Sequence, residues 1–299
     1  MTDPDAGAAP PVRDASTRRW SPANLAVGLV VAAGTCLVAY PSAATWVTDV
    51  THASTVSGYT QEVAAMDADE LDDLLTAARR YNADLPDGPL RDPYVLNAEG
   101  GADDFRDQQA DYLAQLSLRP GAPMARIRIP EIDVDLPVYH GTDEVTLAKG
   151  IGHLYGSGLP VGGEGTHAVL TGHSGIPGET LFTRLGEVEV GDTVVVEVAG
   201  ETLTYAVDQI KTVLPDVGED LRQVAGHDYI TLLTCTPVGV NTHRLLVRAE
   251  RTESLLGEAG QTVLPASPRV PSVPWDAVLI LIGGFAIAFA IARPRTAPR

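Results

Sequence analysis

Lysine is nearly missing from this chain of 299 residues. Only Lys149 and Lys211 occur, the other cations are arginines, and the formal net charge is −18. A nucleic-acid surface needs clustered Lys and Arg against the phosphates, and no basic stripe is present, so no nucleic-acid partner is expected. Cysteine is as scarce: Cys36 and Cys235 are the only two, too few for a disulfide framework. No internal repeat is visible, which removes repeat architectures. What remains is rich in Ala, Gly and Arg, a composition that points to a GC-rich genome. At 44% hydrophobic, the chain has enough apolar mass for one sizeable domain with accessories.

Two runs are more apolar than a soluble domain requires. NLAVGLVVAAGTCLVAYPSAATWV (24–47) carries no charge, and WDAVLILIGGFAIAFAIA (275–292) carries only Asp276, at its edge. A spanning helix needs about 20 apolar residues, so each is expected to cross a membrane. Arg13, Arg18 and Arg19 precede the first run, and RPRTAPR (293–299) follows the second. By the positive-inside rule the tails 1–23 and 293–299 are expected in the cytoplasm. The acidic stretch between the runs is then outside. A cleaved signal peptide is the alternative for the first run, because small residues follow Tyr40; the second run anchors the chain in either case.

The external part begins with a helical extension, 48–85. In MDADELDDLLTAARRYNADL, Leu71, Leu74, Leu75 and Ala78 share one face, with acids at the start and Arg79–Arg80 at the end. PDGPLRDPYVLNAEGGADD (86–104) reads as a loop. DFRDQQADYLAQLSL (104–118) returns to helix, with Phe105, Tyr112, Leu113 and Leu116 as its apolar stripe. From 125 to 251 short Val/Ile/Thr/Tyr runs alternate with turn residues, with a hairpin at VAGETL through Gly200. ETLFTRLGEV (179–188) is the one short helix candidate in this region. Seven or eight strands here predict a mainly β domain, a barrel or sandwich. Residues 252–274 read as a polar, Pro-rich linker to the second apolar run.

Cys235 stands near the end of TLLTCTPVGVNTHR (231–244). Outside the membrane structural cysteines come in pairs, yet this one has no external partner in its own chain. It is an inert buried thiol, an intermolecular disulfide, or a nucleophile. A nucleophilic thiol needs a basic or cationic neighbour. His52 lies near the first apolar run. His140, His153, His167 and His227 fall in turns or at strand starts, where a solvated histidine is ordinary. His173 differs: it ends an apolar run and enters a glycine-flanked turn, TGHSG (171–175), where a side chain is exposed and a substrate backbone can approach. Arg244 follows Cys235 by nine residues, so a hairpin would return it to the same rim, ready to hold a carbonyl or an oxyanion. His243 is a rival base, but adjacent strand residues face opposite ways, so His243 and Arg244 should not both face the thiol.

TLLTCTP followed by GVNTHRLLVRAER, with LTGHSG upstream, resembles the sortases, cysteine transpeptidases of Gram-positive and here actinobacterial surfaces. The resemblance covers 125–251. It implies a sortase-like closed barrel of about eight strands, with Cys235 as nucleophile, His173 as general acid and base, and Arg244 stabilising substrate and oxyanion. It implies cleavage of an LPXTG-like sorting signal between Thr and Gly, a thioester intermediate resolved by an amine, and no metal or organic cofactor. Within the family the chain looks like the class C, pilin-polymerising group. That group has an N-terminal helical extension, a lid with Asp-Pro-aromatic, and a C-terminal membrane segment. DPY supplies the lid residues: Asp92, Pro93 and Tyr94, with Asp92 meeting Arg244 and Tyr94 covering Cys235. The amine would then be a pilin lysine. The sequence departs from the group at Val238, usually aromatic, and at Ala249, usually glycine. The alternatives are a housekeeping-type sortase that uses a peptidoglycan amine and a non-enzymatic β-barrel surface protein. A papain-like hydrolase would place its histidine downstream of its cysteine, the reverse of the order here.

Overall fold

The computed structural model describes residues 20–85, 106–215, 218–252 and 271–294, with side chains at 106–109 excepted. It forms two compact units, one of 1–43 with 274–299 and one of 44–273.

Helix α1 (Pro22–Ala64) runs through the first apolar stretch and on into the extension as one helix. Helix α2 (Ala68–Ala83) follows, its entry closed by a hydrogen bond from the Asp67 amide to the Glu70 carboxylate. The expected face is the one that packs: Leu75 and Ala78 are buried, with Leu71 and Leu74 against the same core. Asn82 adds a polar tie, exchanging hydrogen bonds with the backbone of Leu159 in both directions. Helix α3 (Arg106–Ala114) buries Tyr112, and Leu116 is buried just beyond it. Leu113, expected in the stripe, is 46% exposed, and Phe105 lies outside the described residues. The helix ends at Ala114 and Leu116 has a φ of 51°, which re-aims its side chain into the core.

Among the described residues this unit also holds a barrel of β1 (Ala125–Ile129), β2 (Val134–His140), β3 (Ile151–His153), β4 (Thr166–Thr171), β5 (Thr193–Val198), β6 (Glu201–Val213), β7 (Asp228–Thr236) and β8 (His243–Arg251). The strands close in the order β1-β2-β3-β4-β7-β8-β6-β5, and β5 returns to β1. Ile127, Val138, Leu170, Ile230, Leu232, Val196 and Val247 belong to its core. All pairs are antiparallel except β2 with β3 and β4 with β7. The expected hairpin joins β5 and β6 through Ala199 and Gly200, with φ of 43° and 83°. Two positive φ values in a two-residue loop match the right-handed twist of the flanking strands.

The short helix expected at 179–188 is not formed. That stretch is a series of turns with one 3-10 turn, Leu185–Glu187. The Phe182 amide goes to the His173 carbonyl instead of an i−4 partner, and Leu181 takes a φ of 32°. A single-turn helix, α4 (Glu144–Leu147), does form, between β2 and β3, with Asp143 as its N-cap.

In the other unit the first half of α1 packs with helix α5 (Trp275–Ala292). The contact is made of small residues. A side chain at Gly284 would overlap Thr35, and one at Gly28 would press on Ala288 and Ala292. Ser42 donates a 2.7 Å hydrogen bond to Asp276. Both helices are long and apolar enough to cross a membrane.

Candidate active site

Strand β7 delivers Cys235 to one rim of the barrel, and the β7–β8 turn brings the chain straight back. In the antiparallel register Cys235 is paired with Arg244 and Thr236 with His243. Paired residues project from the same face of the sheet with Cα atoms about 4.5–5.5 Å apart. The thiol and the guanidinium are therefore neighbours by construction, while His243 belongs to the alternate face. His243 is half-buried and takes Thr242 as its hydrogen-bond partner.

His173 comes to the same rim from the other side of β7. Strands β4 and β7 run parallel, with Thr171 paired to Leu233. Two residues further along each chain stand His173 and Cys235. The parallel direction is what makes this possible, since both strands leave the barrel at the same end. Gly172, just before the histidine, is a packing requirement: a Cβ there would strike Ile151 and the Phe182 ring at 2.6 and 2.8 Å.

Burial sets the electrostatics. Cys235 and Arg244 are 9% and 7% exposed. The Arg244 Nη1 donates to the carbonyls of Asn241 and His243, both at 3.3 Å, so the turn holds the guanidinium in place. Burial lowers the pKa of His173 from its ordinary value, and the nearby Glu144 carboxylate partly offsets this. Burial thus favours the neutral form of the imidazole, the form that can accept a proton. Neither Cys36 nor Cys235 forms a disulfide. Asp92, Pro93 and Tyr94 lie outside the described residues.

Of the four histidines set aside as turn or strand-start residues, two are buried, contrary to the expectation for such positions. His153 is fully buried, bonded to the Tyr112 hydroxyl at 2.9 Å and the Gly158 carbonyl at 2.8 Å. His167 is buried between the Arg222 carbonyl and Thr231. His140 is also held, by the Gln115 carbonyl at 2.7 Å. Their burial lowers all three pKa values, that of His153 to about 4. These are structural ties, and none lies on the strand ends that carry Cys235 and Arg244.

The site has further parts that the sequence did not single out. Ser174 and Thr234, each next to a candidate residue, make hydrogen bonds across the β4–β7 seam. Asp49 of α1 accepts a 2.8 Å hydrogen bond from Thr180, in the loop that follows His173. The only sequence signal for the first pair was their place inside the two motifs; for Asp49 there was none, because its partner is 131 residues away.

Comparison with known proteins agrees with the fold. A family model described as the sortase domain matches residues 127–252. Sortase D of Bacillus subtilis (strain 168) is 31% identical over 146 residues, covering 48% of this chain and 71% of the relative. Among solved structures, a lid mutant of sortase A from Corynebacterium diphtheriae is 46% identical, with a TM-score of 0.56 over 64% of this chain and 99% of that one. The sortase C1 of GBS pilus island 1 is 39% identical, with a TM-score of 0.61 over 72% of this chain and 97% of that one. The closed eight-stranded barrel is thus the sortase fold, and its class is that of the cysteine transpeptidases. The chain belongs to the sortase family.

Proposed function

We propose that this sortase is a membrane-anchored pilin polymerase in which Cys235, His173 and Arg244 carry the chemistry. The observation behind the residue roles is the register: Cys235 opposite Arg244 on β8, and His173 on the parallel neighbour of β7. As the Cys235 sulfur attacks the Thr carbonyl of an LPXTG-like signal, neutral His173 takes the thiol proton. Arg244 donates hydrogen bonds to the oxyanion, an interaction worth about 10²–10³ in rate at comparable sites. The tetrahedral intermediate collapses, the Thr–Gly bond breaks, and His173 passes its proton to the leaving Gly amine. The remaining thioester is attacked by an incoming amine, which gives a proton to His173 as the amide forms. That proton then returns to the departing sulfur.

Pilin polymerisation as the outcome rests on three supports: the Asp92-Pro93-Tyr94 motif, the second apolar helix α5, and the likeness to a sortase C1 of a pilus island. The acceptor is then a pilin lysine, and the product an isopeptide bond. Asp92 and Tyr94 act as a lid over Arg244 and Cys235. The two apolar helices anchor the catalytic unit outside the plasma membrane, with both termini in the cytoplasm.

The test offers the full-length enzyme an LPXTG-type peptide with two acceptors in competition, a lysine side-chain amine on a pilin domain and a peptidoglycan stem-peptide amine. We expect isopeptide product on the lysine to dominate. Transfer to the stem peptide alone assigns the housekeeping role instead.

A further inference from the structure

The parallel seam between β4 and β7 has its last paired residues at Thr171 and Leu233, and the Gly172 amide continues it with a 3.1 Å bond to the Leu233 carbonyl. Beyond that point two side-chain hydroxyls cross the seam in opposite directions. The Thr234 hydroxyl donates to the Gly172 carbonyl at 2.6 Å. The Ser174 hydroxyl donates to the Cys235 carbonyl at 2.6 Å. Both residues are buried, at 2% and 7% exposure. Each is the immediate sequence neighbour of a reactive residue, Thr234 before Cys235 and Ser174 after His173.

Both acceptors are backbone carbonyls, so the hydroxyls fasten main chain rather than one side chain to another. Strand pairing alone fixes β4 and β7 up to Thr171, but His173 stands past that limit, at the start of a long loop. Two other bonds of that loop tie it to itself, the Phe182 amide to the His173 carbonyl at 3.0 Å and the Gly175 amide to the Thr183 hydroxyl at 3.0 Å, and the Thr180 hydroxyl ties it to Asp49 of α1 at 2.8 Å. The Ser174 bond is of another kind, because it ties the loop to the residue that bears the thiol. A proton transfer between imidazole and sulfur depends steeply on their separation, and a displacement of about 1 Å can cost on the order of 10²-fold in rate.

We infer that Ser174 is a positioning residue for the transpeptidation step: its hydroxyl, by holding the Cys235 carbonyl, sets the distance and angle between the His173 imidazole and the Cys235 sulfur. It touches neither substrate nor the reacting atoms. The inference rests on the reading of Cys235 as nucleophile and His173 as acid and base. Loss of the hydroxyl leaves the eight strands and their register in place, because Ser174 lies outside every strand, and lets the histidine loop drift.

The test compares full-length wild type, Ser174→Ala, Ser174→Thr and Cys235→Ala. The readouts are single-turnover acylation by an LPXTG-type peptide, the peptide concentration at half-saturation, the pH dependence of Cys235 alkylation by iodoacetamide, and the thermal midpoint. For Ser174→Ala we expect acylation to fall about 10- to 100-fold, with half-saturation within about twofold. Its alkylation profile should shift along the pH axis while its thermal midpoint stays put. Ser174→Thr, which keeps the hydroxyl, should return to within about threefold of wild type. The inference is overturned if Ser174→Ala acylates within about twofold of wild type, if its alkylation profile is unchanged, or if threonine fails to rescue it. Acylation that persists in Cys235→Ala is a separate failure, that of the nucleophile assignment itself.

Discussion

Arg244 and His243 are neighbours in sequence with opposite fates. Arg244 faces Cys235 across the strand pair, and His243 pairs with Thr236. Arginine supplies a planar fork of donors that lysine cannot copy. We expect Arg244→Ala and Arg244→Lys both to lower the initial rate of peptide cleavage by about 10²–10³, with lysine giving little rescue. His243→Ala should leave the same rate within about twofold. Equal losses at 243 and 244 would mean that the register does not set the chemistry. That the two could not share a face was legible in the sequence, because alternation along a strand is a local rule; which of them pairs with Cys235 is set by the β7–β8 register. The burial of His153 and His167 was not. Their partners Tyr112 and Thr231 lie 41 and 64 residues away, and no window of local sequence contains them.

At the level of elements, α3 is fastened to the barrel through one buried aromatic. The Tyr112 hydroxyl accepts from the Gly141 amide at 3.0 Å and meets His153 at 2.9 Å, and its ring lies near those of His140 and Tyr155. This joint has a pH dependence with a definite sign. The pKa of His153 is about 4 in the folded state, against 6.5 for the exposed side chain. Between those values the unfolded chain binds a proton that the folded one refuses. Stability is therefore full above about pH 6.5 and falls as the pH drops towards 4, by about 3 kcal/mol from this group if 1.36 kcal/mol attends each unit. His140 and His167, also lowered by burial, act in the same direction. Denaturant melts from pH 7 to pH 4 should show this loss, and His153→Gln should flatten the slope between pH 6.5 and 4. An unchanged slope in the variant would contradict the assignment. The α1 contact with the histidine loop, Thr180 to Asp49, leads us to expect that Asp49→Ala slows acylation several-fold without altering the barrel's circular dichroism. The strands, the hairpin at Gly200 and the face of α2 were readable from periodicity. The helix expected at 179–188 failed because the Phe182 amide and the Thr183 and Thr180 hydroxyls bond outward, to His173, Gly175 and Asp49, while other amides close three-residue turns.

For the whole molecule, hydropathy found both apolar helices, since a membrane span is a matter of composition and length. The strand order of the barrel was not readable. Short strands of similar pattern allow many orders, and the parallel β4–β7 contact that brings the strand ends leading to His173 and Cys235 to one rim is a long-range crossover. Topology is testable on intact cells. With epitope tags on both termini, external protease should remove residues 48–273 and spare the tags; loss of either tag would place that end outside. A lid formed by Asp92 and Tyr94 predicts faster acylation when the three DPY residues become alanine, measured with the same peptide.

The most direct measurement of the central claim is intact mass spectrometry of the full-length enzyme after incubation with an LPXTG-type peptide. Wild type should gain the mass of the peptide's acyl portion ending at Thr, mapped to Cys235, lost on adding an amine acceptor and absent from Cys235→Ala. An adduct of the same mass in Cys235→Ala, or no adduct in wild type across a panel of sorting motifs with the lid residues replaced, would contradict it.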